Sequence, residues 1–209
     1  MLADIIQPRS TAILCMEMQR GVVGDLSNLN TLRHIVEGAG MPRHLSELVN
    51  AGRIAGVGIA YCNFVRRRDD ELNAYNCRIL ARLRRYEGHL VEGSASAELI
   101  PELSVEPGDV VSERSHGMSP FTGTGLDGQL RDKGVKTIIA TGVSLNVGIV
   151  GMTIEAVGLG YDVVIPSDCV SGFPQDYADA VLANCLGAMA TIVESREIIA
   201  GWRQGMKSA

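Results

Sequence analysis

The sequence predicts a doubly wound, Rossmann-like α/β fold: a mostly parallel, six-stranded sheet between two helical layers. Three observations predict it. Apolar runs of strand length recur at residues 11–16, 57–62, 109–112, 137–141, 161–166 and 191–193, and several look buried on both faces, as parallel strands are. Helical or small-residue stretches separate these runs, so strands and helices alternate instead of segregating. The third is the stretch 137–151, TIIATGVSLNVGIVG, where a β-branched strand turns directly into a helix. That junction collects free backbone N–H groups and a positive helix end at one spot. Open α/β sheets place ligands in such crevices.

The bulk properties narrow the class. A chain of 209 residues with 46% apolar and 21% charged residues suits a single domain over residues 1–209 with a substantial core. A formal charge of −5 implies no basic face for nucleic acid. Two arginine clusters, at 66–68 and at Arg82, Arg84 and Arg85, read as a solvated basic patch. The five cysteines are odd in number and lack CxxC or Cys/His metal spacing, so reduced thiols in a cytoplasmic protein are expected. Residues 1–10 carry no signal-peptide pattern, and no segment approaches the ~20 apolar residues of a membrane span.

Taken in order, the first strand ends at Glu17, with Gln19 two residues on. An acid at the end of a buried strand is costly unless paired or solvated, which makes Glu17 the first functional candidate. Helices are expected at 31–38 and 42–51, the second closed by Gly52 at its C′ position. The second strand ends at Cys62, which reads as a small buried hydrophobe. Helical spacing of Leu72, Tyr75, Ile79, Leu80 and Leu83 predicts a helix over 71–86. The third strand leads into Glu113-Arg114-Ser115-His116, whose charged groups should face the crevice. His116 is the one histidine so placed. Residues 123–128 match G-x-G-x-x-G, but a Ser-Pro-Phe turn rather than a strand precedes them, so no dinucleotide site is expected. A helix at 126–133, the small-residue helix at 147–158, another at 176–190, and a terminal helix N-capped by Ser195 complete the chain.

These residues resemble the isochorismatase-like hydrolases, the superfamily that also holds nicotinamidases and N-carbamoylsarcosine amidase. Three stretches carry the match across most of the chain. Residues 12–19, AILCMEMQ, correspond to an apolar strand ending in Asp-Met-Gln. Residues 119–130, beginning at Ser119, resemble a Ser-Ala-Phe, Gly-Thr, Leu-Asp run. Residues 141–149, TGVSLNVGI, with Glu155-Ala156 and Gly160-Tyr161-Asp162-Val163 after them, are the most specific. The resemblance implies strand order 3-2-1-4-5-6, a cis peptide at Val143–Ser144, and a homodimer or homotetramer.

The family's amidase branch works with an Asp, a Lys and a nucleophilic Cys. In this chain Glu17 stands at the Asp position and Gly148 at the Cys position. Counting back from Ser119 puts Ser115 at the Lys position, with Arg114 one residue off. Glycine offers nothing to attack with. The isochorismatase branch includes members with Gly there, which protonate a vinyl ether and let water attack. The resemblance therefore implies a small-molecule hydrolase without a cysteine nucleophile, with Glu17 as general acid/base and vinyl-ether hydrolysis favoured over amide hydrolysis. An acid with no cation beside it serves better as proton donor, while Arg114 reaching in would weaken that role. Gln19, Arg114, His116, Ser119, Val143, Ser144, Asn146 and Val147 are expected to bind or polarise the substrate, with backbone amides around Val147–Gly148 holding negative charge. The substrate is expected to be anionic or carbonyl-bearing. Asn63-Phe64-Val65 stands where nicotinamidases carry Asp-x-His, so neither metal nor cofactor is expected. The competing reading is a ligand-binding or scaffold protein that kept the fold and lost catalysis; an enzyme using Cys62 or Cys169 is a minor third.

Overall fold

The computed structural model describes residues 2–208. Its centre is a parallel sheet of β1 (Thr11–Met16), β2 (Gly58–Phe64), β3 (Val110–Arg114), β4 (Thr137–Val143), β5 (Asp162–Pro166), β6 (Val170–Ser171) and β7 (Thr191–Val193). The order is β3-β2-β1-β4-β5-β7, and the two-residue β6 pairs with the end of β4. The six expected strands thus lie in the expected order, with the small β6 in addition. Every residue of β1 and β4 is buried, because helices cover both faces of the sheet.

The side chains of β1 divide alternately between two cores, as a strand's period of two requires. Ile13 and Cys15 face α2 (Asn30–Gly38), α3 (Met41–Ala55) and the terminal helix α8 (Ser195–Ser208). Ala12, Leu14 and Met16 face α5 (Leu126–Asp132), α6 (Val150–Gly158) and α7 (Gln175–Asn184). Two short helices, α1 (Leu2–Ile5) and α4 (Arg78–Leu83), complete the set.

Four local expectations are corrected. The helix ending at Gly52 continues to Ala55, and Gly56 takes the left-handed C-cap at φ 87°. Gly52 is glycine for packing: a Cβ there would fall 2.9 Å from Ile13 Cδ1. The helix expected over 71–86 shrinks to α4, preceded by a 3₁₀ turn at Asp70–Leu72. Asp69 caps that turn by accepting from the Glu71 N–H, and the Asn73 side chain ties to both backbone groups of Arg67. These Asx interactions compete with a continuous helix. The third strand runs on to Arg114, so Arg114 is a buried strand residue and not part of a loop. Ser195 does not act as an N-cap; its hydroxyl and N–H both donate to Asp168, at 2.6 and 2.8 Å.

Candidate functional site

Glu17 is the first residue beyond β1. It sits in the left-handed region at φ 52°, uncommon for a residue with a Cβ and characteristic of functional turns. Its N–H donates to the Cys62 carbonyl at 2.9 Å, so β2 holds the backbone where the chain leaves the sheet. Arg114, the last residue of β3, reaches across β2 and donates to the Glu17 carboxylate in a direct ion pair. Of the two cases left open by the sequence, Arg114 reaching in is the one observed: the cation comes from position 114, while the Ser115 hydroxyl turns to the Leu72 carbonyl.

The pair is unequal in exposure, with the Arg114 side chain at 2% and Glu17 at 21%. The carboxylate is thus the member that meets the crevice. Nε and Nη1 of Arg114 are buried without a partner, and its guanidinium lies 5.7 Å from the Phe64 ring centre.

Beside Glu17, β4 ends in a cis peptide between Val143 and Ser144, the bond the resemblance implied. A π-helical turn, Leu145–Ile149, follows and leads into α6, a geometry frequent at functional sites. The N–H groups of Val147 and Ile149 both donate to the Ser144 carbonyl at 3.1 Å. The Val147 amide is thus already engaged, and of the two amides expected to hold negative charge only that of Gly148 stays a candidate. A Cβ on Gly148 would come 2.9 Å from Met16 Cε and 3.1 Å from the Val143 carbonyl oxygen. The end of the Met16 side chain occupies the space a larger residue would use. Asn146 donates to the Phe173 carbonyl at 3.1 Å, and its own carbonyl oxygen is buried without a partner.

Glu17 and residues 143–144 and 146–148 form one side of a cavity of about 320 Å³, at the lower end of the usual range for small-molecule sites. Glu17 is the one charged side chain among the residues that line it. The opposite wall is apolar. Val22, Leu29 and Leu32 come from the segment after β1, and Ile79, Leu80 and Leu83 from α4. Phe64, Leu90, Met118 and Phe173 close the remainder. Sequence reasoning named none of these as site residues. Their one signal was the helical spacing of Ile79, Leu80 and Leu83, which reads equally well as a core-facing stripe.

Three expected binding residues lie away from this lining. Gln19 is fully buried, and its amide bonds the Phe64 backbone on both sides and the Ala97 carbonyl, each at 3.0 Å. Ser119 donates to Glu155 and accepts from the Phe121 N–H. His116 packs on Gly123, whose Cβ, if present, would lie 2.8 Å from the imidazole. Arg114 acts from behind Glu17 and is not itself part of the lining.

Arg66 is also corrected. It is buried, not solvated, and its Nη1 donates to the carbonyls of Leu83, Tyr86 and His89. Burial pushes the Cys15 thiol up to about 12 and those of Cys62 and Cys169 still higher. Such thiols are poor nucleophiles, and none lines the cavity. Among the described residues no three His, Cys, Asp or Glu side chains gather as metal ligands. Nor, among them, is any helix long and apolar enough to cross a membrane.

Comparison with known proteins bears on this geometry. Residues 11–197 match the model of the isochorismatase domain. An uncharacterized isochorismatase family protein of Bacillus subtilis, YwoC, is 39% identical over 87 residues, 41% of this chain and 45% of that one, so the match spans less than half of that relative. The ureidoacrylate amidohydrolase RutB of Agrobacterium fabrum is 23% identical over 82% of this chain and 80% of its own length. Among solved structures, a cysteine hydrolase from Pseudomonas syringae superposes with a TM-score of 0.81 at 22% identity, covering 96% of this chain and 95% of that one. N-carbamoylsarcosine amidase from Thermoplasma acidophilum gives 0.69 at 21% identity, covering 89% and 96%. At these identities the two structures speak for the fold.

Proposed function

Because the chain belongs to the isochorismatase family, we propose that it is a small-molecule hydrolase in which Glu17 handles the proton and no cysteine takes part. One observation carries the reading. The Glu17 carboxylate, fixed by Arg114, lines a largely apolar cavity beside Gly148, where a thiol would otherwise stand.

Glu17, held by its ion pair with Arg114, acts as the base. Its carboxylate takes a proton from water, and the water oxygen bonds to the electrophilic carbon. The bond to the leaving group then breaks, and the proton passes from Glu17 to that group. The Gly148 N–H, in the first turn beyond β4, is the donor proposed for the oxygen that gains negative charge. Attack of water on a carbonyl carbon is the route proposed, in place of the vinyl-ether hydrolysis that the resemblance favoured, in keeping with relatives named amidohydrolase and amidase.

A ligand-binding role without turnover is the second reading, favoured by the Met16 methyl that fills the space beside Gly148. Turnover of neutral aryl and alkyl esters and amides by the wild type and by Glu17→Gln separates the two, with thermal melts as folding control. The Gln variant should lose ~10²–10⁴ in rate, and iodoacetamide should alkylate the exposed Cys185 while leaving turnover intact. Unchanged turnover in a folded Gln variant removes Glu17 from the mechanism. Absence of turnover with binding retained establishes the second reading.

A further inference from the structure

We propose that the cavity selects an uncharged substrate, with an aromatic or branched-alkyl body and the reacting carbonyl as its polar group, and that it excludes carboxylates. The inference deepens the hydrolase reading and rests on it for the word substrate; the binding preference stands on the cavity alone.

Charge comes first. An anion entering the cavity meets Glu17 and no cation among the lining residues. Arg114 does not supply one: it is committed to Glu17 and lies behind the lining, against the Phe64 ring. Arg82 lines an adjoining hollow that shares Val22, Leu29, Ile79, Leu83 and Leu90 with the cavity, and Arg78 one that shares Ile79, but neither arginine is among the residues that line the cavity itself. A carboxylate would therefore lose its water without gaining a partner, which is strongly unfavourable. An ammonium fares little better, because Arg114 already neutralises the one acid.

Shape and surface come second. Leu32, Leu80, Leu83, Leu90 and Met118 present branched or flexible apolar groups to a space of about 320 Å³, roughly twice the ~150 Å³ that admits benzene. The driving force for filling it is burial of apolar surface. The polar side chains of the lining, Glu17, Ser144 and Asn146, all come from the chain just beyond β1 and β4, with the Gly148 backbone beside them. One polar group at one end of an apolar body is the matching ligand. Of the two substrate types expected, anionic or carbonyl-bearing, the carbonyl-bearing one is kept, in neutral form.

The test uses ligands that cannot be hydrolysed, so it reads the cavity and not the chemistry. Acetophenone, benzoate and benzylammonium form one size-matched set, and 2-heptanone, hexanoate and hexylammonium another, each titrated calorimetrically into the intact wild-type protein at neutral pH. Each ketone should bind at least ~10-fold more tightly than its charged partners. In Glu17→Gln the charge of Arg114 is uncompensated, and benzoate should gain at least ~10-fold. Ile79→Arg, at a half-exposed rim position, should shift preference toward benzoate in the same direction without disturbing the core. Benzoate or benzylammonium binding the wild type as tightly as acetophenone would overturn the inference. So would the failure of both ketones to saturate below ~10 mM. Ketone binding in a protein that turns over no ester would leave this inference standing and remove the hydrolase reading.

Discussion

The two sides of the cavity are built in different ways. One is the end of the sheet, where Glu17 leaves β1 and Val143 leaves β4 between fully buried strands. The other is the apolar wall, in which residues 66–90, with the single short helix α4 and a few turns, join Val22, Leu29 and Leu32 from the segment after β1. Backbone pairing fixes the first side; the buried Arg66 side chain, gathering three carbonyls, holds much of the second. Rigid strand ends hold the Glu17 carboxylate within narrow limits, which the proposed proton transfer would require. A wall of turns and aliphatic side chains sets what fits, and it can change without moving the acid.

Substitutions can break that contrast, starting on the strand side. Gly142 lies at φ 103°, and a Cβ there would meet the Met16 carbonyl oxygen at 2.1 Å and its nitrogen at 2.7 Å. Only separation of β1 from β4 would relieve the clash, so Gly142→Ala should cost at least ~4 kcal/mol. Soluble yield and the midpoint of chemical denaturation measure it, and a stable variant would mean the strand ends are more pliable than described.

The wall comes next. Arg66→Met leaves three carbonyls without their donor and should cost about 3 kcal/mol. Its exposed partner Asp70 contributes little to that figure. Denaturation should show the loss, and ketone binding should weaken with it. Binding that survives unchanged would detach Arg66 from the wall.

Gly148→Ala returns to the strand side at a milder contact. The obstructing atom is the flexible end of Met16, so the variant should fold with a loss of ~1–2 kcal/mol. A loss as large as that of Gly142→Ala would show that Met16 cannot yield. His116→Gln is the smallest. The imidazole stands outside the cavity lining, so stability should stay within ~0.5 kcal/mol and turnover within about twofold. A larger drop in turnover would bring His116 back to the site.

The sequence by itself determined the strands, their alternation with helices and the acid at the end of β1, because these follow from local periodicity and burial. It also determined that Gly148 bears no side chain to attack with. The extent of Arg114's strand was less legible, since an edge strand with alternating exposure, as in Val110–Arg114, resembles a polar loop. Gln19, Ser119 and His116 looked like site residues because they neighbour the motif in sequence. Their side chains are engaged elsewhere by partners that include the distant Phe64, Ala97 and Glu155. Tertiary structure alone decided that Arg114 crosses β2 to meet Glu17 and that Arg66 is buried. It alone brought leucines from three separate segments onto one cavity. Contacts between residues tens of positions apart depend on how layers pack, and a periodic pattern records which face of an element is apolar but not what that face will meet.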